Sequence, residues 1–228
     1  MAGIIAVMFG AAAWCAAPAA DDPWAVEAFS GAPPREAAEP VRALLGDSGF
    51  RVTRSGKTLA EVWWVRAVPA APGKPDGSVM LPGVPEGTLF GAARIGEGFR
   101  DIRGQAVKPG VYTLRYGVQP ADGDHLGLTD WRDFLVMVPA DLDPRPDPIR
   151  HDPLVKAGRK ASRTTHPAVI MLRPVEGRPA KLPATATAGS GAAALRFVQT
   201  SIPFRTKPDG PIADVPLGVV LIGTVKAG

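Results

Sequence analysis

Gly and Pro constrain this chain more than any other feature. There are 26 Gly and 25 Pro, together more than a fifth of the 228 residues, against an average of roughly 12%. Neither residue suits a helix interior, and both suit turns between short strands. Their spacing cuts the chain into apolar runs of strand length. Hydrophobic residues make up 46% of the sequence, enough to build a real core. The expectation is a mainly β protein with few helices.

Strands are predicted at Phe50–Arg54, Thr58–Arg66, Thr88–Ile95, Phe99–Arg103, Val111–Val118, Phe134–Val138, Ala168–Arg173, Ala194–Thr200 and Val215–Val225. Ser55-Gly56-Lys57 reads as a hairpin turn. Lys108-Pro109-Gly110 carries type II turn chemistry. Helical patterns are short: one from Pro34 to about Leu45, another opening on Asp152-Pro153 and ending near Ala161. Pro139–His151 contains four prolines and cannot be regular. Hairpin spacing without a βαβ rhythm predicts an antiparallel immunoglobulin-like β-sandwich with one or two short helices, or alternatively a small closed β-barrel. Phe134–Val138 is apolar at every position, so both of its faces should be covered. Tyr112, Leu114, Val136, Val138, Val220 and Ile222 are predicted core residues, with Trp64 beside them.

Residues 1–19 read as a signal peptide. Ile4–Ala17 is uncharged and of h-region length, and Ala17-Pro18-Ala19 supplies an A-x-A site, although Met1-Ala2-Gly3 carries no basic residue. Residues 20–48 form a Pro/Ala-rich segment with a short helix, and residues 49–228 a single β-sandwich domain. The expected location is exported, periplasmic or extracellular. The one cysteine, Cys15, lies in the leader, so the mature chain would have no disulfide. No later apolar run has the length of a membrane span.

The segment Gly110-Val111-Tyr112-Thr113-Leu114, with Arg132-Asp133-Phe134-Leu135-Val136 after it, resembles a turn-and-strand pattern of uncharacterised secreted bacterial β-sandwich domains. The resemblance covers about a quarter of the chain. It implies a fold class and carries over no catalytic residue.

Chemistry-bearing motifs are sparse. Gly189-Ser190-Gly191 lacks the spaced glycines of a nucleophile elbow, and there is no phosphate-binding or dinucleotide loop. No catalytic residue and no cofactor is predicted. His125, His151 and His166 show no ligand spacing. Two acidic stretches offer oxygen ligands of the kind Ca²⁺ accepts: Asp122, Asp124, Asp130 and Asp133, and Asp141, Asp143, Asp147 and Asp152. Both are also ordinary turn sequences. Trp63 and Trp64 are consecutive in one strand and must face opposite ways. Trp64 reads as core, and Trp63 as either covered or an exposed stacking platform. The fourteen-residue Gln119–Arg132 connection is long for neighbouring strands. Its Asp122, Asp124, His125 and Trp131 are the candidate ligand-binding residues, together with Trp63.

The net charge of +4 comes from interspersed charges. Lys156, Arg159, Lys160 and Arg163 form the densest basic stretch and read as a solvated helix end, with no nucleic-acid partner expected. The sequence thus points to a non-catalytic exported binding module for a partner protein, a glycan or the cell envelope. The alternatives are a hydrolase or metal-dependent enzyme around His125 and Asp124, and a structural envelope component.

Overall fold

The computed structural model describes residues 23–120, 130–177, 179–190 and 194–224. The strands are β1 (Trp24–Ser30), β2 (Leu45–Arg54), β3 (Lys57–Val65), β4 (Leu89–Ile95), β5 (Gly110–Val118), β6 (Asp133–Pro139), β7 (Val169–Arg173), β8 (Ala184–Ala188), β9 (Leu195–Arg205) and β10 (Ile212–Ile222). Two helices join them, α1 (Glu39–Arg42) and α2 (His151–Ser162). All ten strands belong to one sheet in the order β1-β2-β3-β4-β5-β6-β7-β10-β9-β8. Every neighbouring pair is antiparallel. The edge strands β1 and β8 approach each other, so the sheet curls nearly closed, like a barrel. The mainly antiparallel β class is as expected from the sequence, and the continuous curl also matches the barrel alternative.

Turn chemistry fixes the register where the sequence placed it. Ser55 and Gly56 connect β2 to β3 with φ of 49° and 74°. Two positive φ values are what a two-residue hairpin loop of matching twist requires, and glycine meets the second without strain.

Two apolar clusters cover the two faces of the sheet. The larger contains Phe50, Val62, Trp64, Phe90, Leu114, Tyr116, Leu135, Met137 and Phe204. The smaller lies under α2 and contains Val136, Val138, Leu154, Met171, Phe197 and Val220. Side chains alternate across β6, so Leu135 and Met137 enter one cluster while Val136 and Val138 enter the other. This accounts for the uninterrupted apolar run. The predicted core residues therefore divide between two faces. Tyr112, Leu114 and Trp64 share the larger cluster, Val136, Val138 and Val220 the smaller, and Ile222 is only partly buried. Leu114 is fully buried. Leu114→Ala should lose about 2–5 kcal/mol of stability, read as a lower denaturant midpoint at unchanged slope.

Three local expectations change. Trp24–Ser30, expected within an irregular N-terminal segment, is a full strand paired along its length with β2. The helix expected from Pro34 shrinks to the four residues of α1, because Pro40 falls within it and the chain turns into β2 at Leu45. Phe99–Arg103, expected as a strand, makes only one isolated bridge, Arg100 to Ala106. The Asp101 carboxylate accepts the Arg103 and Gln105 amides at 3.0 and 2.9 Å and so folds the segment back on itself.

Candidate functional site

A bulge in β2 borders a cleft in the sheet. Leu45 pairs with Val65 and Gly49 pairs with Trp63, so Gly46-Asp47-Ser48 lie opposite Trp64 alone. The surplus residues arch β2 away from β3, as bulges do beside functional sites. Gly49 closes the arch where no side chain fits, since a Cβ there would stand 1.9 Å from the Val62 carbonyl oxygen.

The cleft beneath has a volume of about 620 Å³, within the range of small-ligand sites. It lies where the two edges of the sheet converge, between the end of β1, the β2 bulge, β9 and Pro183 just before β8. Phe50 and Trp64 line its apolar side. The Trp64 Nε1–H is directed to the Thr200 hydroxyl at 3.4 Å, and the Phe50 and Trp64 rings stand 6.0 Å apart. Its polar side carries Asp47, Arg66 and the hydroxyls of Ser30, Ser48, Thr200 and Ser201. Arg66 is engaged by the Ala43 carbonyl at 2.6 Å. The side chains of Asp47, Ser30, Ser48 and Ser201 have no partner among the described residues. Asp47 and Ser48 are exposed.

Trp63 takes the covered alternative. It is 2% exposed, so neither ring face is open for stacking. Phe29, Gly49 and Trp63 stand in register across β1–β3. Gly49 lacks a side chain, and the Phe29 and Trp63 rings meet edge to face across it at 5.0 Å. Arg94 lies over the Trp63 ring at 5.8 Å, and the indole N–H donates to the Gly31 carbonyl at 3.1 Å. Beside this row runs a charge ladder in direct register, Glu27–Arg51–Glu61–Arg94, one residue from each of β1 to β4. Alternating signs at opposed positions stabilise the pairing.

Asp122, Asp124 and His125 lie outside the described residues. The ends of their connection are pinned together: the Gln119 amide donates to the Arg132 carbonyl at 2.8 Å, and Arg132 Nε returns to the Gln119 carbonyl at 2.6 Å. Trp131 is partly buried and packs against the larger cluster.

The remaining histidines are not brought together. His151 opens α2 and pairs through Nδ1 with Glu86 at 3.0 Å. His166 lies beyond the opposite end of that 12-residue helix, which is roughly 18 Å long at 1.5 Å per residue. Two members of the acidic stretches, Asp133 and Asp143, are committed to the protein itself. The Asp133 carboxylate, expected as an oxygen ligand, is fully buried and accepts the Met80 and Leu81 amides and the Tyr116 hydroxyl. Asp143 pairs with buried Arg115. Among the described residues no three His, Cys, Asp or Glu side chains group as a metal site.

Comparison with protein-family models, curated proteins and solved structures finds no match. The resemblance of the Gly110–Leu114 region to secreted sandwich domains therefore gains no support from relatives.

Two of these groups carry a pH signature. Burial, then the hydrogen bond and charge of Asp133, push the Tyr116 phenol well above its ordinary value, which is about 10. Burial raises Tyr112 as well. A phenol that holds its proton more tightly when folded stabilises fully below the unfolded value and loses that contribution as pH rises past it. Stability should therefore fall as pH climbs above about 10. Tyr116→Phe should flatten that fall, checked by denaturant midpoints on both sides of the phenol pKa. An alkaline slope equal in wild type and Tyr116→Phe would assign it to other groups.

The bulge was missed at the sequence level, although Gly46-Asp47-Ser48-Gly49 is a turn-like run set into the N-terminal end of a strand. Gly inside a strand pattern is the ordinary sign of a bulge or a close backbone approach.

Proposed function

We propose that this chain is an exported, non-catalytic binding module that takes an envelope glycan into the cleft at the β2 bulge. The observation that carries this reading is a preformed cleft whose carboxylate and three serine hydroxyls have no partner among the described residues. Hydroxyls and a carboxylate matched to an apolar floor suit a ligand rich in hydroxyls with apolar ring faces. Among the described residues that line the cleft there is no histidine to activate a serine. Export rests on the leader-like first 19 residues, and N-terminal sequencing of a periplasmic or secreted fraction should return a chain beginning at Ala20.

The test is a glycan array followed by titration of a bound sugar. Asp47→Ala with Ser201→Ala should weaken binding at least about tenfold, while the melting temperature stays within a degree or two, since both side chains are unpartnered. The intrinsic tryptophan emission should shift on binding, because Trp64 lines the cleft. An array without ligands, or a sugar that binds the double variant normally, would sink the proposal.

A further inference from the structure

A second surface stands apart from the cleft, on the outer side of α2. Lys156, Arg159 and Lys160 are exposed, and Arg163 follows at the helix C-cap. At 100° per residue the three helical cations share one stripe, while Leu154 and Ala161 turn inward. The fold adds two cations from a distant part of the sequence. The connection from β4 to β5 is tied to the segment that follows α2. Gln105 Nε2 donates to the Pro167 carbonyl at 3.3 Å, the Thr164 hydroxyl donates to Gln105 Oε1, and the Val169 amide donates to Asp101 at 3.3 Å. This sets Arg103 and Lys108 beside the helix. Lys108 and Lys160 line one depression of about 440 Å³.

None of these six cations has an ion-pair partner among the described residues. Two acids stand near them: Asp141 in the depression and Asp152 in the first turn of α2. Glu36, also in the depression, is engaged by Arg94. The face is therefore strongly basic although the whole chain carries only +4. Most of its apolar side chains are withdrawn: Tyr112 is buried and Val155 half-buried, while Leu142 in the depression is 49% exposed.

We propose that this face docks electrostatically on the anionic phospholipid headgroups of a membrane surface. A convex helix face presenting several lysines and arginines matches an extended negative plane. It offers no exposed aromatic ring on which bases of a single strand could stack. With Leu142 as its one large exposed apolar side chain, it has too little apolar surface to insert beyond headgroup depth, so its binding is reversible and screened by salt. This inference is independent of the glycan reading, because the cleft lies on other strands.

The experiment is co-sedimentation of the full chain with vesicles of phosphatidylcholine alone and of phosphatidylcholine mixed with phosphatidylglycerol. The triple variant Lys156→Gln, Arg159→Gln, Lys160→Gln uses good helix formers and keeps α2. The control, Lys57→Gln with Lys207→Gln, removes charge from two hairpin turns elsewhere. Binding is expected only to the phosphatidylglycerol vesicles, and salt should weaken it. The triple variant should lose roughly tenfold or more, and the control little. The proposal is overturned by any of four results: no binding to anionic vesicles at low salt, binding indifferent to salt, equal loss in the control, or capture of duplex DNA at about 0.15 M salt without vesicle binding.

Discussion

Arg115→Met should destabilise this protein by about 3–5 kcal/mol, the usual result of removing one partner from a buried ion pair. Arg115 is fully buried, and the Asp143 carboxylate meets it on two sides, Nε to Oδ2 and Nη2 to Oδ1, each at 2.8 Å. The remaining donors serve main-chain carbonyls. Nη1 reaches Gly87, Pro146 and Asp147 at 3.0, 3.1 and 2.8 Å, and Nη2 reaches Arg145. The reason lies in the sequence of the segment being held. Proline contributes a carbonyl but no N–H, so the four prolines of Pro139–His151 leave that stretch short of donors. Arg115 supplies them from β5. Lysine carries three donors on one point where arginine carries five in a planar fork, so Arg115→Lys should recover little. The Arg115→Met/Asp143→Leu double variant removes the stranded carboxylate but not the stranded carbonyls, and should remain well below wild type. Urea midpoints decide this. A loss under about 0.5 kcal/mol for Arg115→Met, the size of an ordinary surface change, would show that the clamp contributes nothing net.

The same strand shows what could and could not be read in advance. Alternation along β5 places Tyr112, Leu114 and Tyr116 on the core face, and the structure agrees. By the same rule Thr113 and Arg115 should face solvent. They are buried instead, because an irregular segment covers them. Periodicity reports which face of a strand is apolar, not whether a loop covers the polar one. The two strands left unforeseen, β1 and β8, are edges with weak alternation: Ala-Thr-Ala-Thr-Ala carries no large apolar side chain at all. The cleft was hidden for a similar reason. Its lining comes from β1, β2, β3 and β9, and nothing local in the sequence joins Asp47 to Ser201. Search by motif led to Gln119–Arg132 because that stretch concentrates His, Asp and Trp. Of its candidates only Trp131 is described, and it packs on the core.

Asp133→Ala should be as damaging as loss of Arg115. This carboxylate is fully buried at the start of β6. Oδ2 accepts the Met80 amide at 2.7 Å, and Oδ1 accepts the Leu81 amide at 3.0 Å and the Tyr116 hydroxyl at 2.6 Å. One side chain thereby fixes the connection between β3 and β4 to the sheet. That connection is rich in Pro and Gly and has no extended strand partner of its own. Each buried donor left without an acceptor costs about 1–3 kcal/mol, so three together should remove roughly 3–6 kcal/mol once some relaxation is allowed. Asp133→Asn keeps one acceptor oxygen and places an amide N–H₂ where the other stood, facing a donor. It should recover part of the loss, not all of it. Asp133→Ala and Tyr116→Phe should be strongly non-additive, because the alanine variant has already stranded the Tyr116 hydroxyl and phenylalanine removes it. Adding Tyr116→Phe to Asp133→Ala should therefore do less harm than adding it to wild type, and the double-mutant cycle measures the difference. Strict additivity would mean that the Tyr116 hydroxyl relies on the Leu81 carbonyl, 3.2 Å away, rather than on Asp133.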